Sequence, residues 1–199
     1  MRVSTIDGIN ALASILIGDQ LLGNGAIEFG SPDLIIMNSG GPATHLASNS
    51  ILCGPSKTRI VIKQPSSLET EQKYDALSGE IVIDYDKLNF TAEVEEWKHG
   101  CWYHANIISA NSINDLFSKL TKLTPNVDFV LNNDELLPDG PFWSGAISYD
   151  LVQWTQPLNL TNVPNEGDVL AVMWLVEDYV IHSNLSNEFQ VFGTNSKWV

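Results

Sequence analysis

Basic residues are scarce in this chain. Its 199 residues include ten Lys and Arg against 24 Asp and Glu, which gives a formal net charge of −14. No stretch of the sequence gathers Lys or Arg into a cluster. An acidic surface of this kind repels the phosphate backbone of DNA and RNA, so we expect no nucleic-acid partner. The charge otherwise favours solubility and says little about the fold.

Cysteine and long apolar runs are also scarce. The two cysteines, Cys53 and Cys101, form no disulfide framework, so a reducing cytoplasm is the expected compartment, although a single bridge stays open. The apolar run at residues 9–17 is interrupted by polar residues and has no small-residue cleavage site, which favours an amphipathic helix over a signal peptide. No run is long enough to span a bilayer, so we expect no membrane contact.

Apolar and aromatic residues, in contrast, are plentiful. The chain is 44% hydrophobic and contains six Trp, seven Phe and five Tyr. This is enough apolar mass for a hydrophobic core and excludes a disordered acidic tail. The length fits one domain, and we find no internal repeat or low-complexity linker that would divide residues 1–199.

Helical spacing is clearest after Ser112. Ser112 and Asp115 are arranged like a capping box, with Asp in place of the usual Glu. The apolar residues that follow recur at helical spacing: Ile113, Leu116, Phe117, Leu120 and Leu123. Pro125 is expected to end this helix. A second helix is predicted at residues 7–18.

Short apolar or alternating runs predict strands along most of the chain. They lie at residues 33–37, 58–63, 80–85, 102–108, 127–131, 169–176, 179–182 and 189–192. The last two form a pair around a polar turn at 184–187. Because the strands and the few helices do not alternate regularly, we predict an α+β fold with mostly antiparallel sheets in a single domain.

Residues 38–42 read Asn-Ser-Gly-Gly-Pro and follow the first predicted strand. Consecutive glycines allow backbone N–H groups to approach a carboxylate or a phosphate closely, which is typical of an anion-binding turn. A plain tight turn is the alternative, and residue types alone favour it. The Lys-Ser/Thr pair of a nucleotide-binding P-loop is missing.

His99, Cys101 and His104 form the one cluster with metal-ligand residue types. On a strand, His99 and Cys101 would point the same way and His104 to the opposite face. Zinc motifs contain two tight ligand pairs, and this set has none, so we interpret it as chance. A metal-dependent enzyme that uses these three residues is kept as an alternative.

Several acidic residues and two histidines are further candidates for chemistry. Five acidic residues lie close together in the sequence: Asp84, Asp86, Glu93, Glu95 and Glu96. They do not have the spacing of a calcium-binding loop, and they indicate a solvated acidic strand or loop. His45 and His182 have no Ser or Cys partner at a readable spacing. The sequence therefore offers no convincing nucleophile for a hydrolase.

Two segments are more distinctive. Residues 36–50 begin Ile-Met-Asn-Ser-Gly-Gly and end Ser-Asn-Ser, and residues 145–153 read Gly-Ala-Ile-Ser-Tyr-Asp-Leu-Val-Gln. In this order they resemble the N-terminal domain of anthranilate synthase component I and of aminodeoxychorismate synthase component I. The family motifs are Leu-Leu-Glu-Ser, Arg-Tyr-Ser and Gly-Tyr-Ile-Ser-Tyr-Asp, with Val-Arg in the following helix. A family strand that ends near Asp-His matches residues 179–185.

The sequence departs from the family pattern at several positions. Asn38 stands at the motif glutamate, Asn49 at the tyrosine, and Asn184 at the aspartate of Asp-His. The family serines are kept at Ser39 and Ser50.

The resemblance implies a regulatory or structural role. In the family this domain helps to form the pocket for the feedback inhibitor tryptophan. The resemblance implies that Ser39, Gly40, Asn49 and Ser50 lie near that ligand. A serine hydroxyl or a turn amide binds an amino-acid carboxylate, and an apolar pocket accepts an indole ring.

The resemblance also implies partners. The Mg²⁺ and chorismate sites of the family belong to a C-terminal domain, which we expect to be absent here, so no cofactor is expected on this chain. The expected partners are a chorismate-binding chain or a second copy of this chain, a glutamine amidotransferase subunit, and a small-molecule effector. A stand-alone module that binds an amino acid or an aromatic acid is the alternative.

Overall fold

Strands dominate the described part of the molecule. The computed structural model describes residues 33–39, 48–64, 73–74, 81–82, 90–125, 141–154 and 164–193. Eleven strands and one α-helix lie within these ranges: β1 Ile35–Met37, β2 Asn49–Cys53, β3 Thr58–Lys63, β4 Lys73–Tyr74, β5 Ile81–Val82, β6 Phe90–Lys98, β7 Cys101–Ala110, α1 Ile113–Thr121, β8 Phe142–Ile147, β9 Val169–Val176, β10 Tyr179–Ser183 and β11 Phe189–Phe192. A 3-10 helix spans Tyr149–Trp154.

Some predictions fall outside the described residues. These are the helix at 7–18, the strand at 127–131, the candidate site residue Gly40, and the candidates His45, Asp84 and Asp86. No helix in the described ranges is long and apolar enough to cross a membrane.

The described strands form two main sheets in which every pairing is antiparallel. The larger sheet has the order β7-β6-β3-β9-β8, and the smaller has the order β1-β2-β10-β11. Strands β4 and β5 pair with each other. The expected α+β class with mostly antiparallel sheets is therefore confirmed, and α1 is the only α-helix in the described part of the chain.

Helix α1 contributes the apolar side chains that cover the larger sheet. The Ser112 hydroxyl accepts a hydrogen bond from the Asp115 N–H at 3.1 Å, as the predicted cap requires, and Asp115 pairs with Lys119 at 2.8 Å. The core that the helix shares with the sheet contains these buried side chains: Ile60, Ile62, Phe90, Ala92, Ile113, Leu116, Leu120 and Leu170. The 3.6-residue spacing read from the sequence is thus the spacing of the buried face.

The helix ends earlier than predicted. Its last residue is Thr121, and Lys122 forms the cap, so the helix stops before Pro125 is reached. Leu123, which was predicted on the apolar face, lies outside the helix and is 41% exposed.

Strand β6 is an acidic strand whose charges are matched by its neighbour. Glu93 and Glu95 face the same side of the sheet as Lys63 and Arg59 of β3. The Lys63 Nζ to Glu93 Oε2 distance is 2.8 Å, and the Arg59 Nε to Glu95 Oε2 distance is 2.5 Å. The predicted solvated acidic segment is therefore a strand with paired carboxylates rather than a loop.

The two sheets are joined by strands that pass from one into the other. Strand β2 continues through residues 54–57 into β3, and β9 continues through residues 177–178 into β10. Because β2 pairs with β10 and β3 pairs with β9, both connections lie at one corner. The Gly54 N–H donates to the Asp178 carbonyl there at 2.7 Å.

The hydroxyl of Ser56 satisfies the backbone at this corner. Ser56 is 4% exposed, and its Oγ lies 2.6 Å from the Thr58 carbonyl oxygen and 2.7 Å from that of Leu175. The same oxygen accepts from the Thr58 N–H at 3.2 Å. One buried side chain therefore links β3 to β9 where both strands bend.

Candidate functional site

The candidate site residues lie at one end of the smaller sheet. Ser39 follows β1, Asn49 and Ser50 begin β2, and the turn between β10 and β11 closes the same end. The turn spans residues 184–187, as predicted, with the Asn187 N–H donating to the Ser183 carbonyl at 2.8 Å. Asn187 has a φ of 56°, a left-handed conformation that asparagine tolerates better than most residues.

Ser50 is a buried connecting residue. It is fully buried, and its hydroxyl accepts from the Ser39 N–H at 3.2 Å. The same hydroxyl lies 3.1 Å from Asn38 Oδ1 and 3.4 Å from Asn184 Oδ1, and its single proton serves one of them at a time. Through these contacts Ser50 connects the residues that follow β1 to the turn that follows β10.

Ser39 is held on both sides through its main chain. Its N–H donates to the Ser50 hydroxyl, and its carbonyl accepts from Asn184 Nδ2 at 3.2 Å. The side chain is half-buried, and its hydroxyl makes no hydrogen bond with any described residue. Among the described residues, the Ser39 hydroxyl is thus a donor and acceptor without a partner.

Asn49 is separated from the other site residues. Successive side chains on a strand point to opposite faces, so Asn49 lies on the other face of β2 from Ser50. Its partner in the register is Ser183. The structure therefore brings Ser39 and Ser50 together and leaves Asn49 on the opposite face of the sheet.

His182 was named from the sequence as an isolated histidine, and the structure shows the partners that the sequence did not reveal. It lies opposite Ser50 in the register and is 7% exposed. Its Nδ1 is 3.1 Å from Asn184 Oδ1 and its Nε2 is 2.8 Å from Asn187 Oδ1. The ring also packs on Phe189, with 4.6 Å between ring centroids. From the sequence, only the alternation along β10 and the asparagine-rich turn after it could have indicated this arrangement.

We call the six residues of this network the end cluster: Asn38, Ser39, Ser50, His182, Asn184 and Asn187. None of them is Asp, Glu, Lys or Arg, so the cluster offers hydroxyl, carboxamide and imidazole groups. Two of the departures from the family pattern, Asn38 and Asn184, meet at the Ser50 hydroxyl.

The end cluster does not have the arrangement of a hydrolase site. His182 contacts Asn184 and Asn187, and the Ser50 hydroxyl contacts Asn38 and Asn184. Asn184 therefore stands between the hydroxyl and the imidazole, whereas a nucleophile needs direct contact with its base. The arrangement is a network of uncharged hydroxyl and carboxamide groups bonded to one another and to the imidazole.

The second distinctive segment supports the backbone of the larger sheet. Strand β8 contains Gly145, where an added Cβ would lie 2.0 Å from the Val172 carbonyl oxygen. The Ser148 N–H then donates to the Leu170 carbonyl at 2.7 Å, and the Ser148 hydroxyl donates to Asp150 at 2.8 Å at the start of the 3-10 helix. The glycine is required by the close approach of β9.

The alternative metal site is not formed. His99 and Gly100 are the central residues of the β6–β7 hairpin, with φ values of 50° and 82°. Cys101 lies opposite Lys98, and its thiol is 3.7 Å from the Lys98 carbonyl oxygen. Among the described residues, which include all three proposed ligands, no group of three His, Cys, Asp or Glu side chains is placed to bind a metal ion. The described residues therefore do not bring His99, Cys101 and His104 together as a set of metal ligands.

Comparisons of the chain with protein-family models, with curated proteins and with solved structures find no match.

Proposed function

We propose that the chain is a non-catalytic regulatory domain that binds a small amino-acid effector at the end cluster. The observation that carries the proposal is the state of Ser39. Its N–H and carbonyl are both fixed by hydrogen bonds, while its half-buried hydroxyl makes none within the described residues. A hydroxyl held in this way is preorganised to bind a carboxylate or an ammonium group.

The resemblance to anthranilate synthase component I suggests the effector and the partner. The effector would be L-tryptophan, and the domain would act in chorismate-to-anthranilate chemistry together with a chorismate-binding chain and a glutamine amidotransferase subunit. The same resemblance suggests a cytoplasmic protein. In this proposal the end cluster takes no part in converting chorismate, because its six residues include no carboxylate to bind Mg²⁺ and no hydroxyl in contact with the imidazole.

Calorimetric titration with L-tryptophan tests the proposal, and L-phenylalanine serves as the control ligand. We expect saturable binding that is selective for tryptophan and that weakens about tenfold in Ser39→Ala, the equivalent of one hydrogen bond. Ser118→Ala, on the exposed side of α1, is the matched control and should bind as the wild type does. Absence of tryptophan binding, or chorismate turnover by the pure chain, would contradict the proposal.

A second candidate function is a stand-alone binding module for another amino acid or an aromatic acid. The observation in its favour is that Asn38 and Asn184, two departures from the family pattern, both contact Ser50. Changed residues beside the effector position favour a changed ligand. Binding of such a ligand in place of tryptophan, with no complex formed on addition of a chorismate-binding subunit, would favour this module.

A further inference from the structure

Asn184 connects Ser39 to His182. Its Nδ2 donates to the Ser39 carbonyl at 3.2 Å, and its Oδ1 lies 3.1 Å from His182 Nδ1. A carboxamide nitrogen donates and its oxygen accepts, so the contact with the Ser39 carbonyl determines which way the Asn184 amide faces. With the oxygen turned toward the ring, His182 Nδ1 must carry a proton to make this contact.

The surroundings of His182 hold its ring in one orientation. The residue is 7% exposed on β10, which is paired on both sides by β2 and β11. The Phe189 ring packs against the imidazole, and Asn187 lies 2.8 Å from Nε2. The atom of Asn187 nearest to Nε2 is Oδ1, an acceptor. If the ring carries its proton at Nδ1 alone, Nε2 is also an acceptor, and it pairs with Asn187 only when that carboxamide is turned over to present its Nδ2.

We propose that His182 is a positioning residue for Ser39. Its Nδ1–H orients the Asn184 carboxamide, the carboxamide holds the Ser39 carbonyl, and the Ser39 hydroxyl is thereby kept in place. The inference rests on the proposed function for the identity of the ligand, and on the distances above for the positioning itself. It assigns a role to a histidine that has no direct contact with Ser39.

The first test is the protonation pattern of the ring in the unmodified protein. Long-range ¹H–¹⁵N spectra distinguish the two ring nitrogens of a histidine by their chemical shifts. We expect His182 Nδ1 to carry a proton. A ring protonated at Nε2 alone would overturn the proposal, because Asn184 Oδ1 would then receive no hydrogen from it.

The second test measures hydrogen exchange at the Ser39 amide, which is bonded to Ser50. In His182→Phe, which keeps a ring beside Phe189 but has no Nδ1–H, we expect exchange at Ser39 to accelerate about tenfold. His182→Asn places an amide N–H near the Nδ1 position and should restore slow exchange, whereas His182→Gln places it near Nε2 and should not. Equal exchange in all three variants would overturn the proposal.

Asn187→Gly is the matched control for these variants, because glycine tolerates the positive φ of this position. It removes the partner of Nε2 but leaves the contact between Nδ1 and Asn184, so exchange at Ser39 should stay within about twofold of wild type. A change as large as that of His182→Phe would mean that any disturbance of the turn loosens Ser39, which contradicts a specific role for Nδ1. If His182→Phe does not fold, the proposal is still tested by the wild-type ring spectrum and by the difference in Ser39 exchange between His182→Asn and His182→Gln.

Titration with L-tryptophan separates this inference from the proposed function. If both hold, tryptophan binding weakens in His182→Phe and His182→Gln and recovers in His182→Asn. If the wild type does not bind tryptophan, the proposed function fails, and the exchange results alone decide whether His182 positions Ser39. Wild-type affinity in His182→Phe, with tryptophan bound at Ser39, would overturn the positioning role.

Discussion

At the scale of single residues, the two cysteines differ in their exposure to solvent. Cys53 is 1% exposed within the smaller sheet, and burial raises the pKa of its thiol to about 12. Cys101 is exposed at the start of β7, and both thiols are free, so the bridge that the sequence left open is not formed. The thiolate is the reactive form, which makes Cys53 inert at neutral pH.

We therefore predict that one thiol reacts with Ellman's reagent at pH 8 in the folded protein and two react after unfolding in guanidinium chloride. Cys101→Ser should abolish the reaction in the folded state and leave one thiol after unfolding. Rapid reaction of both thiols in the native protein would contradict the burial of Cys53.

Glu177 is a residue at which stability should depend on pH. It lies between β9 and β10, and its pKa is raised by burial and by the neighbouring Asp178, while Lys57 lowers it. A carboxyl with a raised pKa in the folded state destabilises the fold at pH values above that pKa, where it must ionise. The penalty disappears at pH values below the unfolded pKa, where both states bind the proton.

Glu177→Gln should therefore raise the free energy of unfolding at pH 7. The gain should be below about 1 kcal/mol, since the carboxyl is half exposed and solvent screens it. Urea unfolding at pH 7 and at pH 4 measures the effect, and the difference from wild type should shrink at the lower pH. A gain that grows as the pH falls would contradict the direction of the shift.

At the scale of secondary structure, the β6–β7 hairpin carries a non-optimal turn. His99 and Gly100 both have positive φ, as a type I′ turn requires, and Asn-Gly is the preferred pair for this turn. His99→Asn should stabilise the protein by about 0.5–1 kcal/mol, in the range of other turn optimisations.

Thermal unfolding measures this change, with His104→Asn as the matched control. His104 lies on β7 opposite Glu95 rather than in the turn. The same exchange of residue types there should give no comparable gain, because asparagine is disfavoured in strands. Equal stabilisation by both substitutions would show that the turn conformation is not the cause.

The elements that could be predicted from the sequence are those whose pattern is local. The spacing of apolar residues in the sequence matches the buried face of helix α1, and alternation or an apolar run marks strands β3 and β9. The helix cap is also local, because Ser112 and Asp115 lie within four residues. Strand β2 was missed because its first residues are polar and their register partners lie on β10, more than 130 residues away. For the segment of β6 the sequence left a strand and a loop open, because the partners of its carboxylates lie some 30 positions away in the sequence.

The end cluster was predictable in part for the same reason. Ser39 and Ser50 could be named because each matches the serine of a motif in the resemblance and the two motifs are close in the sequence. His182 and Asn184 are more than 130 residues from Ser50, and only the pairing of β2 with β10 brings them to it. The separation of Asn49 from Ser50 follows from strand alternation, which could not be applied before β2 was recognised as a strand.

At the scale of the whole molecule, the two sheets are connected by two continuous chain segments. Strands β2 and β3 are one bent segment and β9 and β10 another, so neither sheet can lose its central pair without disturbing the other. Residues of β2 and β10 belong to the end cluster, and these strands are continuous with β3 and β9 of the larger sheet. Rigidity of the candidate site is therefore linked to the corner at Ser56.

Ser56→Ala tests this link. The substitution removes the hydroxyl that contacts the Thr58 and Leu175 carbonyl oxygens and leaves buried polar groups without that partner. We expect the free energy of unfolding to fall by about 1–3 kcal/mol. Ser118→Ala, which removes an exposed hydroxyl from α1, should leave it unchanged.

The shift should be the same in both sheets, because the corner belongs to both. Tryptophan fluorescence reports on the larger sheet through Trp97, Trp102, Trp143 and Trp174, and hydrogen exchange at Val180 and Ile181 reports on the smaller one. In a two-state protein the two probes give one free energy of unfolding. If Ser56→Ala lowers the fluorescence transition while the β10 amides keep their wild-type protection, the sheets unfold separately and the corner does not couple them.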